Sequence, residues 1–562
     1  MKRYILPLAA FVALPLGAQN VVDATRFGSE NLTGTARYRA MGGAFGALGG
    51  DPTCMTDNPA GMGIYRGTSS ISFTPNMSFA HTTVDGSANT KQKKVDFSVS
   101  NLAYVLSVPT SSCDHLVNFN FGVGFNHSEG LNRKYKMVLD YPASSFGAYL
   151  ANRANNALMS EGYYSNPSYL TTDDAWDNTN IPLTVLYGYD SYAIDQVQRT
   201  DAAGNTTYSD GVESYDQRQG LESFQRMFVT EQNRNDEYNF NLSGNWDDFI
   251  YGGITLTIND FNSTIETEMN EDYDYNYAGD YTQYFNSLET KGTGVGIKAG
   301  VLLKPTDTWR IGFAAHTPTW YRMEDLYDGR MITNDPNVSD YSGGKVYSYK
   351  YRYYSPWQLQ VSSAWVLGGK ALLSAEVDMK DFSTQRYRAD RDSWDADEFN
   401  WMDDVFKDYN KLQMTYKVGG EYRVTDHFSV RAGYAFKGSP YKSELYDHPE
   451  ASRSWGNGYF GDDNSILFDS STKPNYSLLG NQQFFSLGVG WSGEWWFIDL
   501  TCMDRNMQEK IAAFPTTDAI STIDANGVVT MSDDTNIGAV RASHCNMSTN
   551  VLSWDLTLGM RF

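Results

Sequence analysis

The side chains best suited to chemistry in this sequence are its histidines, serines and acidic residues, and their spacing matches no catalytic motif. The seven histidines are dispersed. The chain contains no H-E-x-x-H zinc motif, no G-x-S-x-G nucleophile turn and no phosphate-binding G-x-x-x-x-G-K-[ST] loop. A serine and a histidine brought together only by folding would leave no such pattern. We therefore predict that the protein is not an enzyme and uses no cofactor or metal.

One acidic segment carries the oxygen ligands that Ca²⁺ prefers. It runs from Asp390 to Glu398 and continues at Asp403 and Asp404. The segment lacks the regular ligand spacing and the glycine of a calcium-binding loop. We interpret it as a solvated acidic face, with a calcium site as the alternative.

The elements that position the remaining residues are β-strands, and the last eleven residues are the clearest example. Apolar side chains of one parity alternate there with mostly polar ones of the other, and successive side chains of a strand point to opposite faces. The apolar set comprises Leu552, Trp554, Leu556, Leu558, Met560 and Phe562. A run of about 9–11 residues with one apolar face is what a tilted strand needs to cross a bilayer. A strand of a soluble sandwich would alternate in the same way.

Similar alternating runs recur along the chain and predict about 14 strands. A weaker run near residue 131 is assigned to a loop or merged with the run near 237. An even number fits a single-chain barrel of the outer membrane. The predicted strands begin near residues 70, 95, 115, 237, 249, 288, 309, 347, 370, 411, 428, 483, 495 and 549.

The connections between these runs alternate strictly between short and long. Barrels of the outer membrane have short periplasmic turns and long external loops, whereas a soluble sandwich has no reason to sort its loops in this way. The short turns lie near 110–114, 246–248, 305–308, 368–369, 425–427 and 493–494. The long loops lie near 81–93, 128–235, 262–287, 318–346, 387–410, 440–480 and 506–548. The pattern predicts an all-β fold, a transmembrane antiparallel β-barrel.

Composition and the start of the chain agree with export to the outer membrane. Residues 1–18 have a positive start, an apolar core and a small-residue end, which is typical of a signal peptide. A formal net charge of −23 makes the chain a poor ligand for nucleic acid. Cys54, Cys113, Cys502 and Cys545 lack metal spacing. We favour free buried thiols; if two of them pair, Cys54 and Cys113 are the expected pair, because both would lie at the periplasmic end of the barrel.

Two segments depart from the strand pattern. Residues 19–68 are rich in glycine and alanine, do not alternate, and could fill the barrel as a plug, followed by the barrel itself at 69–562. Within the long loop 128–235, apolar residues every four positions predict a short amphipathic helix. Its apolar side chains could form a ligand-collecting lip at the barrel mouth or pack against other loops. They are Phe146, Leu150, Ala154 and Leu158.

Three features together resemble the FadL/TodX family of outer-membrane transporters for hydrophobic compounds. They are the glycine-rich run followed by Asn58-Pro59-Ala60-Gly61, the stretch from Lys304 to Tyr321, and the terminal Phe562. The resemblance implies a 14-stranded barrel in a Gram-negative outer membrane, with Asn58, Pro59 and Ala60 in an amino-terminal hatch. It also implies lateral exit through a gap near the third strand, where Gly122 and Gly124 are the candidate weak points; the alternative is that these glycines only face a crowded lumen.

The function implied by this resemblance is passive uptake of hydrophobic small molecules, such as long-chain fatty acids or aromatic and haem-like compounds. The expected partners are that ligand, outer-membrane lipid and the barrel assembly machinery, with Phe562 as the insertion terminus. The loops are more acidic than the family pattern, which disfavours anionic ligands. The alternative function is a docking or shuttle protein for a protein partner such as a secretion system.

Overall fold

The structure is a computed structural model of the chain. It describes residues 20–110, 115–129, 132–163, 165–178, 180–196, 198–200, 206–208, 210–273, 281–334, 347–391, 397, 399–447, 449, 472–517, 522–523, 529–530 and 540–562. The predicted signal peptide and Cys113 lie outside these ranges, as does most of the acidic run after Arg391.

Fourteen antiparallel strands form one closed barrel, because the last strand pairs with the first. Ten strands are continuous, and four consist of two segments each. They are β1 (Ser70–Val84), β2 (Thr90–Pro109), β3 (Leu116–Glu129 and Arg133–Asp140), β4 (Ser223–Trp246), β5 (Ile250–Tyr273), β6 (Tyr281–Leu303), β7 (Trp309–His316 and Trp320–Thr333), β8 (Tyr347–Tyr354 and Gln358–Leu367), β9 (Ala371–Asp381 and Arg386–Ala389), β10 (Leu412–Arg423), β11 (Phe428–Lys437), β12 (Tyr476–Ser492), β13 (Trp496–Ala512) and β14 (His544–Arg561). The predicted barrel and its 14 strands are confirmed.

Alternation along each strand produces an apolar exterior and a polar interior. In β1, Ile71 and Phe73 are 43 % and 41 % exposed on the outer face, whereas Ser72 and Thr74 are buried inside. Bands of this kind face lipid in outer-membrane barrels. In the described part of the chain, no helix is both long enough and apolar enough to cross a membrane.

Several predicted long loops are shorter than expected, because the strands continue beyond the membrane. The first predicted loop, 81–93, is mostly strand and leaves only residues 85–89 as the connection. β5 and β6 remain paired up to Asp272 and Tyr281, within the predicted loop 262–287. Outside the bilayer an outward side chain no longer has to be apolar, so the alternation disappears while the backbone pairing continues.

Residues 20–68 lie inside the barrel and are mostly buried; we call this segment the hatch. Side-chain oxygens at its helix starts accept backbone hydrogen bonds, as at Thr35, which caps the second helix. Its elements are α1 (Val21–Phe27), α2 (Ala36–Ala40) and two 3₁₀ helices, Pro52–Met55 and Pro59–Ile64. The predicted plug inside the barrel is confirmed.

Folded loops form a cap on the external side. The predicted loop helix is confirmed as α3 (Phe146–Ser160), followed by α4 (Asp173–Asp177), α5 (Leu183–Asp190) and α6 (Tyr215–Gln219). Later loops add α7 (Met402–Tyr409) and α8 (Ser443–Asp447). Apolar side chains of the cap join those of α1 in one buried cluster above the hatch.

The cysteines of the described residues carry free thiols. Cys54, in the hatch, is buried and free, so the possible pair with Cys113 is not formed. Cys502 and Cys545 are also free. The favoured interpretation of free thiols therefore holds for these three residues.

Candidate functional site

The Asn-Pro-Ala motif fixes the lower part of the hatch against the barrel wall. Asn58 caps the 3₁₀ helix that starts at Pro59 by accepting a hydrogen bond from the Ala60 N–H at 3.1 Å. Its Nδ2 donates to the carbonyl of Gly46 at 2.6 Å. The facing wall residue is Gly300, where a Cβ atom would collide with the Asn58 side chain. The motif thus requires a glycine opposite it.

Buried ion pairs join α2 of the hatch to the wall on one side. The Arg39 guanidinium lies 2.5 Å from the Asp555 carboxylate of β14 and donates to the Ser553 hydroxyl at 2.8 Å. Arg37 donates to Glu421 of β10 at 2.9 Å, and Arg431 of β11 shares that carboxylate at 2.7 Å. Removing one partner of such a pair leaves a buried charge uncompensated, which is strongly destabilising.

A second charged cluster joins the hatch to β9 and β10. Lys417 lies 2.6 Å from Glu376, 2.7 Å from Asp378 and 3.6 Å from Asp57 of the hatch. The Gly46 N–H donates to the other oxygen of Glu376 at 2.7 Å. The hatch is therefore held by charged and polar contacts on several sides of the lumen.

Three cavities that border the hatch are small, with volumes of about 90, 50 and 20 Å³, and the largest of the three is polar. One cavity of about 90 Å³ is lined by four lysines together with carboxylates and amides, which form ion pairs such as Lys298 with Glu237 at 2.9 Å and Lys380 with Glu30 at 2.7 Å. Burying an apolar molecule there would require these polar groups to lose their partners. The lumen at the level of the hatch thus suits water and ions.

An aromatic layer covers the external end of the hatch. The ring of Phe27 in α1 lies 5.1 Å from that of Phe261 and 5.8 Å from that of Tyr353, and Tyr321 stacks on Tyr353 at 6.1 Å. A neighbouring cavity of about 50 Å³ combines Phe27 and Phe261 with the guanidinium groups of Arg26 and Arg505. Sequence reasoning missed these residues, because single aromatic residues in a Tyr-rich chain carry no positional signal.

The wall of the barrel is unpaired next to this layer. β2 and β3 pair from Pro109–Asn118 up to Asn101–Asn126. Beyond that point, among the described residues, no ladder joins Thr90–Ser100 of β2 to Arg133–Asp140 of β3. We call this opening the seam. Among the described residues, single hydrogen bonds cross it, such as the one from Asn132 Nδ2 to Asp96 Oδ2 at 2.8 Å. At its external end, just before β2, the Ser87 N–H donates to the Val138 carbonyl at 3.0 Å.

A bulge in β2 lies where the seam begins. Thr74 pairs with Asn101 and Pro75 with Val99, so Ser100 is the extra residue. Proline has no N–H to give to a ladder, and a bulge bends the strand that carries it. These two features explain how the upper part of β2 departs from β3.

Gly122 and Gly124 do not form the gap predicted for the third strand. Both lie in an uninterrupted ladder with β2 and with β4. A Cβ on either would approach the side chain of Met55 to 2.7 Å, so they make room for the hatch. The opening lies further along the same strand, where pairing with β2 ends.

The predicted lip residues are not available at the barrel mouth. Phe146, Leu150 and Leu158 are at most 1 % exposed and belong to the buried cluster of the cap. The alternative, a helix packed against other loops, describes α3 correctly. Phe562 is 66 % exposed on the outer face, and its backbone pairs with Ser69 beside the first strand.

The start of α3 rests on a buried carboxylate. Glu271, at the external end of β5 and outside the membrane, accepts hydrogen bonds from the N–H groups of Phe146 and Gly147 at 2.8 and 3.1 Å. Burial and the nearby Asp216 carboxylate raise the pKa of Glu271 to about 7, although the hydrogen bond from Gln225 opposes this. This contact titrates near neutral pH.

Within the described residues, no group of three or more histidine, cysteine or acidic side chains could hold a metal ion. The described part of the acidic segment is engaged in ion pairs. Asp390 lies 3.6 Å from Arg322, and Asp403 lies 2.6 Å from Arg388.

Comparison with known proteins identifies a family for part of the chain. Residues 252–464 match the family described as outer membrane protein transport protein (OMPP1/FadL/TodX). The resemblance predicted from the sequence is confirmed, and the chain is an outer-membrane barrel. No curated protein matches the sequence.

Three solved structures are similar to the chain. The toluene transporter TodX of P. putida is 12 % identical, with a TM-score of 0.48, over 95 % of this chain and 99 % of that one. A FadL homologue of Pseudomonas aeruginosa is 13 % identical, with a TM-score of 0.47, over 94 % and 99 %. The Ralstonia pickettii toluene transporter TbuX is 13 % identical, with a TM-score of 0.44, over 93 % and 98 %.

Proposed function

Because residues 252–464 match the OMPP1/FadL/TodX family, we propose that this protein is an outer-membrane channel for passive uptake of hydrophobic small molecules. The observation that carries the proposal is the seam, an unpaired stretch of wall at the level of the aromatic layer. A hydrophobic molecule that enters from outside would leave sideways into the membrane through it.

The direct path through the hatch is unfavourable for such a molecule. It would have to separate buried ion pairs such as Arg39 with Asp555 and Lys417 with Glu376. Buried charges that lose their partners are costly, and an apolar solute returns none of that free energy. The lateral route leaves the hatch in place.

The seam offers a path of decreasing polarity. On its inner side lie the aromatic layer and the cavity that contains Phe27 and Phe261. On its outer side, Val95 and Phe97 of β2 are 57 % and 71 % exposed toward lipid. Burial of apolar surface supplies roughly 25 cal/mol per Å², so transfer from water to the layer and then to lipid needs no energy source.

The inner cavity borders both charged and apolar side chains. Its lining includes Arg26, which is paired with Glu231 at 2.6 Å, and Arg505, which donates to Gln482 at 3.1 Å, beside Phe261 and Leu479. A long-chain fatty acid, with its apolar body and carboxylate head, is one member of the proposed substrate class, although acidic loops disfavour an anionic ligand. Aromatic and haem-like compounds are the other members of the proposed substrate class.

Transport in purified vesicles tests the proposal. Liposomes that contain the protein are given labelled fatty acid or labelled toluene, and the entry rate is compared with that of empty liposomes. We expect faster entry with protein and no requirement for an ion gradient. Equal rates for every compound of the class would contradict transport.

A second candidate function is docking of a protein partner, favoured by the folded external cap. Side chains of the helices α3, α4 and α5 pack into one buried cluster above the barrel. Affinity purification from native membranes separates the two proposals. A stoichiometric protein partner together with no transport in liposomes would favour docking.

A further inference from the structure

Four lysines lie on the outer face of the barrel beside the seam. Two stand at the start of β2, and two on the outer segment of β3. We call them the lysine patch: Lys91, Lys93, Lys134 and Lys136. Their outward direction, their position just beyond the lipid-facing band and their charge point to one ligand, whatever the barrel transports.

Strand alternation places all four side chains outside the barrel. Lys91 and Lys93 share the parity of Val95, which is exposed toward lipid. On β3, Arg133 and Tyr135 are buried at 1 % and 2 % exposure and point inward. The intervening Lys134 and the following Lys136 therefore point outward.

The two pairs of lysines face each other across the seam. The hydroxyl of Thr90 donates to the carbonyl of Lys136. The N–H of Ser87, just before β2, donates to the carbonyl of Val138 at 3.0 Å. The start of β2 thus lies directly beside the outer segment of β3, and the four ammonium groups surround the mouth of the opening.

The patch begins where the lipid-facing band ends. Val95 pairs with Phe79, and both are exposed apolar residues of the outer face. Lys93 lies two residues before Val95 and Lys91 four residues before it, roughly 7 and 13 Å away from it along the strand. The headgroup region extends roughly 5–8 Å beyond the hydrocarbon on each side of a bilayer. Flexible lysine stems bring the ammonium groups into that region.

The charge of the patch is unusual for this chain, which has a net charge of −23. The residues paired with the patch are His81 and Thr83 on β1 and Phe228 and Thr230 on β4. The outward acidic residues Asp140 and Glu266 lie further off, four residues beyond Lys136 and one strand beyond Thr230. Asp96 has the inward parity and accepts a hydrogen bond from Asn132. Lys136 also covers the ring of Phe228 at 4.6 Å.

We infer that the lysine patch binds the phosphate groups of an outer-leaflet lipid at the mouth of the seam. Ammonium groups bind phosphate as point charges, and a basic cluster at the membrane surface attracts anionic headgroups. The lipid face of the barrel continues directly into the patch, so a lipid can rest its chains on Val95 and Phe97 while its phosphates reach the lysines.

Native mass spectrometry of the full-length protein in detergent tests the inference. The probes are lipid A with two phosphates, the same lipid without phosphates, and inorganic phosphate as a competitor. The test variant carries Lys91→Gln, Lys93→Gln, Lys134→Gln and Lys136→Gln. A matched control carries Lys291→Gln, Lys350→Gln, Lys407→Gln and Lys411→Gln, which lie elsewhere on the surface. Heat-modifiable gel mobility verifies that each barrel is folded.

We expect the protein and the control variant to bind phosphorylated lipid A at least about tenfold more tightly than the test variant does, since each lysine contributes up to about a fivefold gain in affinity. Binding should weaken at high salt, and the lipid without phosphates should not distinguish the variants. Equal affinity of the test variant and the unaltered protein would overturn the inference. Displacement by an equal concentration of inorganic phosphate would identify a site for free phosphate and would overturn the lipid assignment.

Discussion

Arg39 of the hatch and Asp555 of the last strand form a buried ion pair with a separation of 2.5 Å. The carboxylate also accepts hydrogen bonds from Asn76 at 2.8 Å and Ser100 at 3.1 Å. The hatch, the closing strand and the bulge of β2 therefore meet at one charged group. The position of the hatch is thereby coupled to the place where the seam begins.

The first prediction concerns this pair. Arg39→Leu leaves Asp555 buried without its cation, which should disfavour the docked hatch by about 3–5 kcal/mol. We expect larger and less steady currents in planar bilayers, because a displaced hatch opens the lumen. Arg66→Gln is the control, since the Arg66–Asp248 pair is exposed and such pairs contribute little. The double variant Arg39→Met with Asp555→Asn leaves no unpaired charge, so its currents should be smaller and steadier than those of Arg39→Leu.

The second prediction concerns Gly253, a glycine of the barrel wall that lies against Pro59 of the hatch motif. A Cβ at Gly253 would collide with the Pro59 carbonyl, so Gly253→Ala should loosen the hatch. Overpacking of this kind costs about 1–3 kcal/mol. We expect labelling of the buried Cys54 thiol by maleimide to rise about tenfold, as measured by peptide mapping. Gly420→Ala meets only ordinary contacts and should label like the unaltered protein. Equal labelling of both variants would show that the wall does not fix the hatch.

The third prediction is a pH dependence of the cap. An unfolded Glu271 titrates near 4.5, whereas the folded one has a pKa of about 7, so the folded state holds the proton more tightly. The stabilisation is present below pH 4.5 and is lost as the pH rises through 7, by about 3 kcal/mol in all. After correction for the intrinsic exchange rate at each pH, the protection of the first amides of α3 should therefore be weaker at pH 8 than at pH 5.

Glu271→Gln should remove this dependence and slow exchange at pH 8. Glu266→Gln changes an exposed residue of the same strand and serves as the control. A pH dependence that persists in Glu271→Gln would assign the effect to another group.

The sequence predicts the barrel well and its openings poorly, for a physical reason. The outer face of β14 has to contact lipid, so apolar and polar residues alternate visibly in its sequence. β5 and β6 continue far beyond the bilayer, where backbone pairing requires no apolar face and leaves no pattern. Loop boundaries were therefore the least accurate part of the prediction.

The site depends on contacts between distant segments. Asn58 was identified through its motif, but its partner Gly300 could be found only in the folded wall. Gly122 and Gly124 suggested a weak strand, yet they accommodate Met55. The seam arises from pairing that is missing between β2 and β3. A single sequence does not record which residues fail to pair.

If hydrophobic molecules leave through the seam, a covalent bond across it should block their exit. Asp96→Cys with Asn132→Cys places thiols on two side chains that meet across the opening. Thr83→Cys with Ser548→Cys places them across paired strands and is the control. We expect oxidation to slow fatty acid entry into liposomes at least tenfold for the seam pair only, and reduction to restore it. Unchanged entry with the seam disulfide fully formed would contradict lateral exit.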